Sequence, residues 1–430
     1  MKFWFYTLGC KVNQFETQAL MQLARERGHK ISRQNADAVI INTCTVTSAS
    51  DHKNLRAIHK IRREHPQAIL AACGCFAQLS PALLQETGEV DIICGTTCRA
   101  DVISLCENWS GSGPVCAESR LASPSFERLP AGVLEGRTRG LLKIEDGCDN
   151  FCAYCIIPYA RGRVRSMPSA EAVSQAKALA AAGVREIMIT GIEISSYGKD
   201  LPEKETLGSL TETLLRTVPE VRFRLGSLEP RIIDEVFCQR LADCPNLARH
   251  FHLSLQSGCD RTLKTMGRRY TTGTVYENIC LLRRYFPGCS VTGDLIVGFP
   301  GETKADFEET MEFIKACGFA SLHVFPYSIR QGTRAAGLPG QVEERCKAAR
   351  AAQAKAAAQA MSFVFLQGFV GKTIDVLLES PKPGYTPGHS SWHFPVKVLQ
   401  AAHGKNEDIA VRVTGVDGEC LTGIPAEAQQ

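Results

Sequence analysis

At 430 residues, with 44% hydrophobic and 22% charged side chains, the chain has the composition of an ordinary globular protein of two or three domains, which excludes the disordered and fibrous classes. Its formal net charge of +4 permits an anionic partner such as RNA without demanding one. Nineteen cysteines are too dilute for a disulfide scaffold, the start Met1 to Cys10 lacks a signal peptide's long apolar stretch, and no apolar run is long enough to cross a bilayer. The expected location is a reducing cytoplasm, with no membrane partner.

Taken in chain order, residues 1–109 alternate strand and helix. Strands are expected at 2–9, 36–44, 68–74 and 90–95, and helices at 12–27, 50–65 and from about Pro81. This pattern predicts an open parallel α/β sheet. Gly9-Cys10, Thr43-Cys44 and Gly74-Cys75 each close an apolar run, at spacings of 34 and 31 residues that match one βαβ unit apiece. Side chains at the carboxyl ends of parallel strands converge on one crevice, so Cys10, Cys44 and Cys75 are read as a three-thiolate metal site. Cys73 lies two residues before Cys75 and remains the alternative, while Cys75 is preferred because it follows the glycine that ends the run. The thirteen cysteines outside the two triples read as small buried hydrophobes.

Residues 110–136, rich in Gly, Ser and Pro without a sustained period, read as a linker. From 137 to 340, strands expected at 141–144, 186–191, 222–227, 250–257, 291–299 and 321–327 alternate with helices, which predicts a partial (β/α)6 barrel. Such a barrel builds its site from the loops after the strands. The first of these loops carries Cys148-x3-Cys152-x2-Cys155, a spacing that wraps three corners of a [4Fe–4S] cube and leaves the fourth iron open. A zinc site completed by a distant Cys or His is the other reading, and the lack of a matching second cysteine pair tells against it. The loops Thr190 to Glu193, Gly226 to Pro230, Gln256 to Gly258 and Asp294 to Glu302 are polar or Gly-rich, as plain turns also are. Residues 341–368 are Ala-rich and predict a connecting helix, and 369–430 hold short Val/Ile/Leu runs at 373–378, 394–399 and 409–416 that suggest a small β-barrel.

Five motifs occur in one order: Thr7 to Asn13, Asn42 to Thr47, Gly74 to Gln78, Gly147 to Pro158, and His323 to Ser328. Together they resemble the radical S-adenosylmethionine methylthiotransferases across almost the whole chain. The resemblance implies a methylthiotransferase domain, a radical barrel and a C-terminal TRAM-like RNA-binding barrel. Thr7 to Asn13, Ile144 to Cys148 and Thr190 to Gly198 look most like the branch that adds a methylthio group to C2 of N6-threonylcarbamoyladenosine, next to the anticodon at position 37 of tRNA. By the same resemblance, Cys148, Cys152 and Cys155 hold the [4Fe–4S] cluster that binds S-adenosylmethionine, and the second [4Fe–4S] cluster sits on Cys10, Cys44 and Cys75. S-adenosylmethionine would serve as radical source and methyl donor. Tyr154, Thr190, Gly191 and Glu193, with the loop from Asp294 to Gly298, match the positions that contact it. The implied partners are the tRNA anticodon loop, an electron donor protein and a sulfur source.

Arg161, Arg163 and Arg165 alternate beyond the cluster loop and read either as contacts to phosphate or the threonyl carboxylate, or as a solvated charged strand. Tyr385, Trp392 and Phe394 read as base-stacking or barrel-packing aromatics. Two other functions stay open: the same chemistry on isopentenyladenosine in tRNA or on a ribosomal-protein aspartate, and a non-catalytic metal-bound RNA-binding protein whose cysteines staple two domains.

Overall fold

Uninterrupted apolar runs separated by helix formers build the first unit as a parallel sheet. The computed structural model describes residues 1–117, 121, 125–132, 138–203, 205–399 and 404–426. The strands β1 (Lys2–Thr7), β2 (Lys30–Ile31), β3 (Ala38–Thr43), β4 (Ile69–Gly74), β5 (Ile92–Cys94) and β6 (Val115–Cys116) pair in the order β2-β1-β3-β4-β5-β6, all parallel. Because both faces are covered, β3 and β4 are buried almost along their length. Alternate residues supply the two cores. Phe3, Ile40, Ala71 and Ile92 pack under the helix Lys11–Glu26, and Val39, Ile41, Leu70 and Ile93 pack under the helix Ser48–Glu64.

The edge strand β6 falls inside the segment expected as a linker. Its described remainder packs between units: Leu129 is buried against Phe15, Ala19, Leu141 and Met188, and Glu127 pairs with Arg99. Residues 118–120, 122–124 and 133–137 of that stretch lie outside the described residues.

The second unit contains β7 (Arg139–Lys143), β8 (Glu145–Asp146), β9 (Arg165–Ser166), β10 (Glu186–Thr190), β11 (Arg222–Leu225), β12 (Ser227–Leu228), β13 (His250–Gln256), β14 (Ser290–Val297) and β15 (Ser321–Pro326). Two parallel sheets, β11-β10-β7 and β12-β13-β14-β15, meet where the third expected strand bends at Gly226, whose N–H donates to the Ile189 carbonyl at 2.9 Å. Together they form the open barrel expected from the six apolar runs.

The helix Glu344–Gln367 then buries Lys347, Ala351, Ala354, Ala358, Ser362 and Leu366, a spacing of three to four that keeps one small-residue stripe against the barrel. Beyond it, β16 (Thr373–Leu378), β17 (Thr386–Ser390), β18 (Pro395–Val398), β19 (Asp408–Asp417) and β20 (Cys420–Pro425) close a five-stranded barrel. It docks on the larger barrel through the Arg224 guanidinium, which donates to the Ser391 carbonyl at 2.9 Å, and through Trp392 Nε1, which donates to the Gly288 carbonyl at 2.8 Å. Among the described residues no helix is long and apolar enough to cross a membrane.

Candidate active site

Each cysteine of the first triple sits just past a strand of the first sheet. Cys10 caps the helix Lys11–Glu26, Cys44 follows β3, and Cys75 opens the short helix Cys75–Leu79 after β4. Two glycines let these loops approach. Gly9 has φ +107° and a Cβ there would lie 2.6 Å from the Cys44 Cβ; Gly74 has φ +95° and its Cβ would meet Asn42 Oδ1 and the Thr43 carbonyl at 2.5 Å. The Asn13 amide ties the loops together by donating to the Leu8 carbonyl (3.0 Å), the Thr43 carbonyl (2.9 Å) and Asn42 Oδ1 (3.2 Å). Cys73 is fully buried inside β4, in the apolar core with Cys94 and Cys98, and faces away from this crevice.

The second triple lies on one loop after β7. The Cys148 N–H donates to the Gly162 carbonyl at 3.0 Å, the Cys155 N–H to the Cys152 carbonyl at 2.9 Å, and the Ala153 N–H to the Met266 carbonyl at 2.8 Å. Arg268 Nη1 donates to Cys152 Sγ at 3.2 Å and its Nε to the Tyr270 hydroxyl at 2.9 Å.

Both triples line a single cavity of about 740 Å³, together with Tyr154, Thr190, Gly191, Glu193 and Asp294. Gly298 lies apart. Its N–H donates to Glu302 Oε1 at 2.8 Å, and a Cβ there would come within 2.5 Å of Lys347, so this glycine lets the helix Glu344–Gln367 approach the barrel.

The donor chemistry fits iron–sulfur clusters. Burial pushes the Cys75 thiol up to about 11 against the pull of Arg161, pushes Cys155 up to about 12, and raises Cys44 and Cys148 as well. Such thiols hold their protons at neutral pH until a metal displaces them. Among the described residues, neither triple brings its three sulfurs within 4.8 Å of one another.

Between the triples runs a buried ionic network. Arg161 Nη1 donates to Glu16 Oε1 (2.7 Å) and Asp146 Oδ1 (3.0 Å), its Nη2 to Asn13 Oδ1 (3.1 Å), and its Nε to Cys75 Sγ (3.2 Å). Lys143 Nζ reaches Asp146 Oδ2 at 2.6 Å and Glu16 Oε1 at 3.2 Å, while Arg99 Nη2 reaches Glu127 Oε2 at 2.6 Å and Glu16 Oε1 at 3.2 Å. Burial would raise the Glu16 carboxyl, but Arg161, Arg99 and Lys143 together hold it down to about 2. Burial opposes ionisation of Asp146 too, and Lys143, Arg161 and Arg99 overcome it. Asn13, Glu16, Cys75 and Arg99 belong to the first unit, Lys143, Asp146 and Arg161 to the barrel and Glu127 to the segment between them, so the network welds the units together. Arg161 and Arg165 are thus neither a solvated strand nor open contacts to an anion but are buried in the network, and of the arginine trio only the Arg163 side chain, 89% exposed, stands in solvent.

On the barrel side, Glu145 Oε2 accepts the Glu193 N–H at 2.7 Å, and burial drives the Glu145 carboxyl well above the usual range. Burial also raises Glu193, with Arg268 pulling the other way. Asp294 is disfavoured by burial but held ionised by His252 Nε2 at 3.2 Å and His323 Nδ1 at 3.4 Å. His250 and His252 both meet Thr292 Oγ1 at 2.9 Å, and together with His323 and His393 they line the cavity. Of these, His323 opens the fifth motif, while His250, His252 and His393 were not singled out as site residues in the sequence. The signal was His250-Phe251-His252, an alternation that turns both rings to one face of β13. Trp392 and Phe394 also line the cavity while packing on Phe369 and on Phe365 of the helix Glu344–Gln367, whereas Tyr385 is not among the residues lining it.

The chain matches the radical SAM superfamily over residues 142–314 and the Uncharacterized protein family UPF0004 over residues 2–95. It is similar to the threonylcarbamoyladenosine tRNA methylthiotransferase MtaB of Bacillus subtilis, 36% identical over 95% of this chain and 96% of that protein. MtaB of Thermotoga maritima is 35% identical over 96% of this chain and 94% of its own length. The tRNA-2-methylthio-N(6)-dimethylallyladenosine synthase of Alkaliphilus oremlandii is 31% identical, covering 88% of this chain and 82% of that one. Among solved structures, the radical S-adenosylmethionine methyltransferase TsrM of Kitasatospora setae, with cobalamin and a [4Fe-4S] cluster bound, overlays with a TM-score of 0.57 at 15% identity over 78% of this chain and 74% of that chain. That likeness is one of fold.

Proposed function

Because the chain belongs to the radical S-adenosylmethionine tRNA methylthiotransferases, we propose that it adds a methylthio group to C2 of N6-threonylcarbamoyladenosine next to the anticodon of tRNA. The observation that carries this reading is the convergence of Cys10, Cys44, Cys75, Cys148, Cys152 and Cys155 on one cavity of about 740 Å³. When bound, two [4Fe–4S] clusters and S-adenosylmethionine supply the radical that takes hydrogen from C2 and the methylthio group that replaces it.

The protein's own residues hold and shield these groups. Cys148, Cys152 and Cys155 hold the cluster that takes S-adenosylmethionine, and Cys10, Cys44 and Cys75 hold the other. Arg268 beside Cys152 and Arg161 beside Cys75 place one guanidinium against a ligand of each triple, which offsets the negative charge that thiolates gain on metal binding. Tyr154, Thr190, Gly191 and Glu193 line the cavity and would hold S-adenosylmethionine there, and the Glu145 carboxyl fixes the Glu193 turn by accepting its N–H. Asp294 lines the same space, while Gly298 acts by letting the helix Glu344–Gln367 approach the barrel. We assign the first cluster to the unit of residues 1–109, the radical site to 137–340, and tRNA docking to 369–430, held in place by the helix after 341. An electron donor protein and a sulfur source act as separate partners, and the tRNA substrate puts the enzyme in the cytoplasm.

The same chemistry on isopentenylated adenosine is the second reading, favoured by relatives named for the dimethylallyl substrate at 31–32% identity. Nucleoside analysis of tRNA from a deletion strain separates the two. Loss of 2-methylthio-N6-threonylcarbamoyladenosine with accumulation of its unthiolated precursor is the expected result. An unchanged peak sinks the proposal.

A further inference from the structure

Lys11 directly follows Cys10, at the first position of the helix Lys11–Glu26, and lines the cavity shared by the two cysteine triples. Its side chain is exposed to that space, and among the described residues its ammonium makes no hydrogen bond or ion pair. The position is electrostatically poor for a cation. The first turn of a helix carries the positive end of the backbone dipole, and this helix has no acidic residue there and no side-chain cap.

The other cations on the cavity wall are already engaged. Arg161 is held by Glu16 and Asp146, and Arg268 lies against Cys152 and Tyr270. The acid Asp294 is likewise taken up by His252 and His323. On its other side Lys11 opens onto a second cavity of about 570 Å³, which shares Met188 and His393 with the first and adds Arg139, Lys382 and His389. The acid on that wall, Glu379, is paired with Arg139 at 3.4 Å and His389 at 3.1 Å. Glu193 and Glu419 also line the first cavity, and neither forms an ion pair with Lys11, so where the two spaces join the wall offers an uncommitted positive charge.

The threonylcarbamoyl group ends in a carboxylate, whereas an isopentenyl group is uncharged. We propose that Lys11 is the specificity-determining residue that receives this carboxylate, so that the enzyme selects an anionic substituent on N6 of adenosine. The inference rests on the substrate reading given above. An anionic substituent gains a charge-assisted hydrogen bond at Lys11. An apolar one would cover the ammonium without pairing it, so the same residue attracts one substrate and rejects the other.

The test uses full-length protein reconstituted without oxygen and three anticodon stem-loops, carrying N6-threonylcarbamoyladenosine, its methyl ester, or N6-isopentenyladenosine, with binding followed by fluorescence anisotropy. Wild type is expected to bind the acid about tenfold more tightly than the ester, as one partly exposed charged hydrogen bond implies. Lys11→Gln should bring the two within about twofold of each other by weakening the acid alone, and Lys11→Arg should keep the preference, with iron per chain unchanged in both. Equal binding of acid and ester by wild type overturns the proposal, and this comparison needs no variant, so it decides even if Lys11→Gln loses iron. Equal weakening of both ligands in Lys11→Gln also overturns it and makes Lys11 a contact to RNA phosphate. A wild type that prefers the isopentenyl stem-loop over both threonylcarbamoyl forms overturns the substrate reading itself, a result distinct from equal binding of acid and ester.

Discussion

The two cysteine sites face one cavity but are built in opposite ways. Cys148, Cys152 and Cys155 lie within eight residues on a single loop whose backbone closes on Gly162 and Met266. Cys10, Cys44 and Cys75 come from three separate strand ends and meet only because the sheet sets β1, β3 and β4 side by side. The contiguous site carries its geometry in local sequence, while the assembled site borrows it from the whole first unit. The assembled site should therefore be the more easily broken by changes that touch no cysteine.

The largest effect is the separation of the two sites by their own ligands. Replacing Cys148, Cys152 and Cys155 with Ala should lower iron from about eight to about four per chain and abolish both S-adenosylmethionine cleavage and product formation. Replacing Cys10, Cys44 and Cys75 should also leave about four irons, yet retain cleavage of S-adenosylmethionine while losing the methylthio product. Iron and acid-labile sulfide assays, with chromatography of 5′-deoxyadenosine, check both. Identical losses in the two variants would deny the division of labour.

Arg161 joins the assembled site to the barrel. Arg161→Met leaves Glu16 buried without its closest cation and removes one of Asp146's, and breaking such a pair from one side costs about 3–5 kcal/mol. Denaturant unfolding should show that loss, and reconstitution should fill the Cys148 site more fully than the Cys75 site. The same network gives a pH signature. Glu16 has its folded value depressed from 4.5 to about 2, so its contribution is fully present above pH 4.5 and is lost as pH falls toward 2. The shift corresponds to about 3 kcal/mol at neutral pH, of which about 2 should be gone by pH 3. Stability measured between pH 6 and 3 should fall less steeply in Glu16→Gln than in wild type, and parallel curves would remove the network as the cause.

How much of this was legible in the sequence follows from the same contrast. The eight-residue triple was plain, and the strand-end cysteines could be paired because Gly9 and Gly74 mark where apolar runs stop. The third barrel strand was readable as one run, but its bend at Gly226, which splits it into β11 and β12, was not. In the small barrel, β17 and β20 were missed because Thr386-Pro-Gly-His-Ser390 and Cys420-Leu-Thr-Gly-Ile-Pro425 have the composition of turns and gain their strand character from cross-strand partners. The burial of Arg161 was illegible for a related reason: its partner Glu16 lies 145 residues away, so no local pattern distinguishes it from the solvated Arg163.

Gly74→Ala tests the borrowed geometry with one methyl group. At φ +95° the alanine backbone is strained by about 1–3 kcal/mol, and its Cβ would strike Asn42 Oδ1 and the Thr43 carbonyl. The expected outcome is a variant that folds with reduced thermal stability and keeps the cluster on Cys148, Cys152 and Cys155. Its second cluster should be lost or labile, which shows as roughly half the wild-type iron.

The smallest effect belongs to Cys73, two residues from a proposed ligand and with no part in the site. It is fully buried beside Cys94 and Cys98 in the core under the helix Lys11–Glu26, and burial raises its thiol far above the ordinary range, so it behaves as a small hydrophobe. Cys73→Ala removes one buried sulfur and should cost about 1 kcal/mol, with iron content and methylthio product unchanged. Cys75→Ala, at a thiol almost as buried, should instead lose the assembled cluster, because Cys75 lines the cavity one residue past the strand end. Iron assays on the two variants side by side put the comparison on a single peptide, Cys73-Gly74-Cys75. Iron lost from the Cys73 variant and kept in the Cys75 variant would exchange their roles and move the first cluster's third ligand into the sheet.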